Sequence, residues 1–169
     1  MRTRARVALV GVGNEFRRDD GVGWAVVARV REKAAGRPLP SGTVLATCDG
    51  DPARLIALWE GADLAVVVDA AHAHPGHPGR IHRIELDAGR LDPPRTTSSH
   101  GLGLGEAVEL ARVLGRLPQR LVVYAVEGAD SSLGTGLSPA VAATVEPLAA
   151  SIAEELLHHR DAPRPGGER

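Results

Sequence analysis

The stretch RVALVGVGNEFRRDDGVG, Arg6 to Gly23, sets the fold of the whole chain. Behind Arg6 an unbroken apolar run reaches Val12, which marks a strand buried on both faces of a parallel sheet. Glycines 11, 13, 21 and 23 turn the chain, and GWAVVARVREKA, Gly23–Ala34, sets Val26, Val27 and Val30 on one helical face. A strand, a glycine-rich turn and a helix usually cradle a phosphate at the helix N-terminus. This turn instead carries Asp19 and Asp20, whose charge repels phosphate. Phe16 takes the place of the third glycine of the dinucleotide pattern, and no Gly-Lys-Ser/Thr is present for a P-loop.

The same alternation continues outward. DLAVVVDA (Asp63–Ala70) and RLVVYAVE (Arg120–Glu127) are two more continuous apolar runs. TVLATC (Thr43–Cys48) is a weaker strand, and IHRIEL (Ile81–Leu86) alternates apolar and polar residues as an edge strand does. Helical patterning fills the intervals. DPARLIALWEGA (Asp51–Ala62) opens with an aspartate cap and a proline at the first helical position. GLGEAVELARVLG (Gly103–Gly115) ends at a glycine, and Ser138–Leu157 opens with Ser138 as cap and Pro139 behind it. Pro147 lies inside that last pattern and predicts a kink or a break. The expected architecture is an α/β three-layer sandwich, a twisted, mostly parallel five-stranded sheet flanked by helices. Residues 1–157 are read as one domain, and the polar, Pro/Gly-rich segment 158–169 as a disordered tail.

Composition narrows the partners. A net charge of −1 over 169 residues argues against a dedicated nucleic-acid binder. Cys48 is the single cysteine, so no intrachain disulfide is expected, in keeping with a reducing cytoplasm. No run approaches the roughly 20 apolar residues of a membrane helix, and the N-terminal run reads as a strand rather than a signal segment. The expectation is a cytoplasmic monomer.

In open α/β sheets ligands bind beyond the carboxyl ends of the strands. The residues falling there are Asn14, Asp19 and Asp20 after the first strand, Asp49 after the second, Asp69 ending the third, and Glu127 ending the last. Clustered carboxylates disfavour one another's ionisation. A divalent cation removes that cost, and His100 in SSHGLG could complete its shell. Two carboxylates and an imidazole suit zinc, nickel, manganese or ferrous iron. Each residue also has a plainer role: Asp20 as a helix-start residue, Asp69 as a turn cap, His100 as a solvated loop histidine. Cys48 has no local activator, and Ser98 and Ser99 adjoin His100 in a way that suits no triad. His72, His74, His77 and His82 fall close together and read as a flexible, solvated loop with adventitious metal affinity.

Four segments in order, GVGNEFRRDDGVG, VVVDA, SSHGLGL and VEGADSSLGTGLSPAV, resemble the motifs of the hydrogenase maturation proteases. The resemblance covers Arg6 to about Leu157. It implies an endopeptidase that removes a C-terminal extension from the large subunit of a nickel–iron hydrogenase after nickel insertion. The cofactor it implies is nickel carried by that precursor, and the partner is the precursor itself. By motif match the metal-contacting and catalytic residues are Asp20, Asp69 and His100. Many members carry glutamate where this chain has Asp20, and a Gly-Thr turn where it has Asp51-Pro52; the histidine-rich insert is not a general feature. Two alternatives stand beside this expectation, a noncatalytic nickel-binding assembly factor and a nucleotide-binding α/β module.

Overall fold

The computed structural model describes residues 6–87 and 104–161. In chain order the elements are β1 (Val7–Val12), a short 3-10 helix (Arg18–Gly21), α1 (Val22–Gly36), β2 (Thr43–Cys48), α2 (Pro52–Trp59), β3 (Leu64–Ala71), β4 (Ile81–Asp87), α3 (Leu104–Leu114), β5 (Arg120–Glu127) and α4 (Pro139–Asp161). The sheet runs β2-β1-β3-β5-β4. Only β4 is antiparallel, paired along β5 from Ile81 opposite Val126 to Asp87 opposite Arg120. The continuous Val/Leu runs become β1, β3 and β5, the three inner strands.

Side chains alternate across these strands into two apolar layers. On one face Leu9, Leu64, Val66, Val68, Val122 and Val126 pack with Val26, Val27 and Val30 of α1 and with Val141, Ile152 and Leu156 of α4. On the other, Val10, Val12, Ala65, Val67, Leu121 and Val123 pack with Leu55, Ile56 and Trp59 of α2 and with Leu104, Ala107 and Ala111 of α3. The three-layer expectation holds. Trp59 is fully buried and donates its indole N–H to the Arg116 carbonyl at 3.2 Å. Asp51 caps α2, its carboxylate accepting the Arg54 N–H at 3.3 Å, with Pro52 behind it.

Helix α4 shows no break and runs further than its pattern suggested. The helix passes through Pro147 without a break and continues to Asp161, so His158–Asp161 are helical rather than part of a tail. An interior proline costs about 3 kcal/mol. Leu148, Ala149, Ile152 and Leu156 bury against α1 and the sheet beyond it, and that burial outweighs the lost hydrogen bond. The rest of the expected tail, 162–169, lies outside the described residues.

Candidate functional site

The carboxyl ends of the inner strands lie level with one another. Gly11 is opposite Val68, Asp69 opposite Ala125, and Ala71 opposite Glu127. The loop after β1 is drawn over this edge by close backbone contacts. A Cβ on Gly11 would lie 2.4 Å from the Gly23 carbonyl oxygen, and one on Gly23 would lie 2.3 Å from the Val68 carbonyl oxygen. Only hydrogen fits at either position, so α1 begins in direct contact with β1 and β3. Gly13, at φ +136°, then lets the chain fold back until the Asp20 carbonyl oxygen is 2.0 Å from where a Cβ would stand.

Asp20 follows from that fold-back. Its carboxylate accepts the Asn14 N–H at 2.9 Å, and Asn14 in turn accepts the Phe16 N–H at 2.9 Å. The cap of α1 is Gly21, which has no side chain to offer, so Asp20 is not the helix cap that its position suggested. Its carboxylate faces the strand ends instead.

Asp19 behaves differently from its neighbour. It is fully buried, and its carboxylate accepts four hydrogen bonds: Ala129 N–H at 2.8 Å, Asp130 N–H at 3.0 Å, Ser138 N–H at 2.7 Å and the Ser138 hydroxyl at 2.8 Å. Burial alone would push its carboxyl up, but the donors from Ser138, Ala129 and Asp130 outweigh it and hold the carboxyl below its usual range. Asp19 acts well beyond its own turn. It supports the start of α4, more than a hundred residues away. The backbone completes the clasp, with Asp19 N–H donating to the Asp130 carbonyl, Arg18 N–H to the Gly134 carbonyl, and Gly134 N–H to the Phe16 carbonyl. Arg18, between the two halves of this clasp, takes a left-handed conformation at φ 47°.

Asp69 lies near the end of β3, 6% exposed, on the sheet face covered by α2 and α3. Among the described residues its one hydrogen-bond donor is the Ala70 N–H, at 2.8 Å. Burial raises its carboxyl to about 7, against a partial counter-effect of that N–H, and the charge of Asp20 raises it further. The two aspartates therefore share one field. His100 lies outside the described residues, in the segment that precedes α3.

The remaining rim residues separate from this pair. Asp49 turns back to accept the Asp51 N–H at 3.1 Å. Glu127 is buried and is held by His82 at 2.9 Å and by the His77 N–H at 3.2 Å. His82 thus lies on β4 with its ring hydrogen-bonded to Glu127, not in a solvated loop; His72, His74 and His77 are exposed, as read. Burial raises the Cys48 thiol, which leaves it a poor nucleophile.

Among the described residues no three His, Cys, Asp or Glu side chains form a metal cage. Asp20 and Asp69 supply hard oxygen donors, one of them buried with little compensation. Such a half-shell suits a divalent ion that arrives with ligands of its own, where a structural site would close with four. Phosphate is excluded by the same charges.

The model of the hydrogenase maturation protease family matches residues 49–155. The chain belongs to this family. It is an endopeptidase of hydrogenase maturation, a hydrolase acting on peptide bonds. It is 27% identical to the hydrogenase expression/formation protein HupD of Bradyrhizobium diazoefficiens, over 97% of this chain and 88% of that protein. It is 26% identical to the hydrogenase 2 maturation protease of Escherichia coli, over 84% and 85% respectively. Among solved structures, the E. coli hydrogenase maturating endopeptidase HybD shares its fold, with a TM-score of 0.70 at 23% identity over 91% of this chain and 93% of that one. The NiFe hydrogenase maturation protease HycI of Thermococcus kodakarensis gives a TM-score of 0.62 at 25% identity, over 90% and 93%.

Proposed function

We propose that this protease removes the C-terminal extension of a nickel–iron hydrogenase large-subunit precursor after nickel has been inserted. Asp20, Asp69 and His100 contact the nickel that the precursor carries. The observation that carries the reading is the Asp69 carboxyl, buried beside Asp20 at the carboxyl edge of the sheet with no neutralising cation among the described residues. The solved relative from Thermococcus kodakarensis is named for NiFe hydrogenases, which supports the same substrate class.

The chemistry follows from positioning. Nickel held between precursor and rim fixes the scissile bond against the strand ends, converting an encounter into an aligned attack. Held by these residues, the ion would supply Lewis-acid polarisation of the scissile carbonyl. A rim carboxylate, Asp20 or Asp69, takes the proton of the attacking water as general base. No helix among the described residues is long and apolar enough to cross a membrane.

The test incubates the protein with nickel-loaded and nickel-free precursor and follows the truncated product by mass. Cleavage of the loaded form alone is expected. Equal cleavage of both forms removes the metal-gated reading, and cleavage of neither removes the assigned substrate.

A further inference from the structure

The rim carries a second carboxylate assembly, built differently from the aspartate pair. Glu127 ends β5 at 3% exposure, and both of its oxygens are engaged: Oε1 accepts the His77 N–H at 3.2 Å, and Oε2 meets His82 Nε2 at 2.9 Å. His82 first, then the His77 N–H, holds the Glu127 carboxyl below its usual range. An ionised carboxylate only accepts, so the Nε2 of His82 carries hydrogen toward it. A buried carboxylate fixing the ring of a half-exposed histidine is the arrangement by which an imidazole is oriented for proton transfer.

Strand register places this pair beside the aspartates. His82 is opposite Ala125 on β4, and Ala125 is opposite Asp69 on β3. The three residues form one cross-strand row on the face covered by α2 and α3, the face that takes Ile84, Val123 and Val67 from the same strands. Two strand spacings set the Cα atoms of His82 and Asp69 about 10 Å apart. That span accommodates a carboxylate, a metal-anchored peptide group and an imidazole side by side. Among the described residues, the charged groups acting on the pair include Arg80, whose charge adds to the lowering of Glu127.

Peptide hydrolysis needs two proton movements, and the aspartates account for only one. We propose that His82, oriented by Glu127, is the proton donor to the leaving amine; this rests on the peptidase reading above. The water oxygen bonds to the scissile carbonyl carbon and its proton passes to a rim carboxylate. As the C–N bond breaks, its electron pair stays on nitrogen, which takes a proton from the His82 imidazolium. The rim carboxylate then releases its proton to solvent and the neutral imidazole recovers one, which returns both groups to their starting states. Glu127 is the positioning residue: its carboxylate fixes the ring.

The test measures kcat and KM for nickel-loaded precursor across pH for wild type, His82→Gln and Glu127→Gln. His82→Gln is expected to lower kcat about a hundredfold, with KM unchanged, and to remove the alkaline limb that reports a protonated donor. Glu127→Gln is expected to lower kcat about tenfold with KM unchanged, since the ring is no longer held by its carboxylate. His82→Gly is expected to regain activity with added imidazole, a rescue that a purely structural histidine would not show. Wild-type kcat with an intact alkaline limb in His82→Gln overturns the proposal while leaving the peptidase reading in place. Failure of wild type to cleave the loaded precursor overturns both.

Discussion

Ser138 donates both its backbone N–H and its hydroxyl to the carboxylate of Asp19, at 2.7 and 2.8 Å, across 119 positions of sequence. The bond pair ties the turn after β1 to the first turn of α4. It also places a negative charge at a helix N-terminus, where the peptide dipoles favour it. Through Asp19 the glycine loop is held rigid, and Asp20, the next residue, inherits that rigidity.

Replacing Asp19 with Ala leaves the N–H groups of Ala129, Asp130 and Ser138 without their acceptor in a buried setting. Unsatisfied buried donors cost about 1–3 kcal/mol each. A loss of at least about 3 kcal/mol is expected in urea denaturation at neutral pH, and a change under 1 kcal/mol would contradict the clasp. Because the folded carboxyl is held below its ordinary 3.8, the stability it adds is present above that value and is lost as pH falls through the folded value. Asp19→Asn should therefore lack this part of the acid destabilisation seen in wild type.

Asp69 has the opposite sign. Its carboxyl is raised to about 7, so the folded protein retains the proton between 3.8 and 7 while the unfolded chain has released it. Stability falls as pH rises through that window and is level above it. Asp69→Asn removes the penalty. The variant should match wild type near pH 4 and exceed it at pH 8, by up to about 4 kcal/mol at 1.36 kcal/mol per pKa unit. Denaturation curves at the two pH values decide this. The same variant should lose cleavage of nickel-loaded precursor at least a hundredfold, an estimate on the order of one metal-anchoring contact. A variant that is stabilised yet inactive separates function from folding.

Gly23→Ala forces a methyl to within 2.3 Å of the Val68 carbonyl oxygen, backbone that cannot step aside. Overpacking of this kind costs typically about 1–3 kcal/mol. The start of α1 should move off β3 and carry Asp20 with it, so cleavage should fall more steeply than stability. Thermal denaturation and precursor cleavage measured on one sample check both. Gly36→Ala, where a Cβ would meet nothing within 4 Å, is the control and should change little.

Pro147→Ala should stabilise. Pro147 is exposed within a continuous helix and denies that helix one hydrogen bond. An alanine supplies the missing N–H at the best intrinsic propensity, and a gain of about 1–3 kcal/mol is expected, less whatever the unfolded chain gains in entropy. Activity should be unchanged, because the proposed site lies at the strand ends. A loss of stability would show that the proline has a packing role.

The inner strands were legible because burial on both faces imposes continuous apolar runs. Thr43–Cys48 and Arg120–Glu127 have the bounds that their residues suggested, and β4 shows its alternation because one edge and one face meet solvent. Asp20 and Asp69 were legible as strand-end acids, and the structure brings them into one field. The part of Glu127 was not. Its partner His82 sits in a histidine-rich stretch whose composition suggests loose solvation, and only antiparallel pairing of β4 with β5 brings the two within 2.9 Å.

What the amino-acid sequence determined by itself is the layer architecture, since periodicity and glycine placement follow from local burial and local sterics. It also determined that the turn after β1 could not hold phosphate, because two adjacent aspartates carry the wrong charge in any conformation. The motif resemblance singled out Asp20, and only the tertiary structure showed what engages its neighbour Asp19. Asp19 is taken up by donors from Ala129, Asp130 and Ser138, contacts that no local pattern encodes, while the charge of Asp20 acts on Asp69. Tertiary packing likewise carried α4 through Pro147, because a buried face of Leu148, Ala149, Ile152 and Leu156 outweighs one missing hydrogen bond.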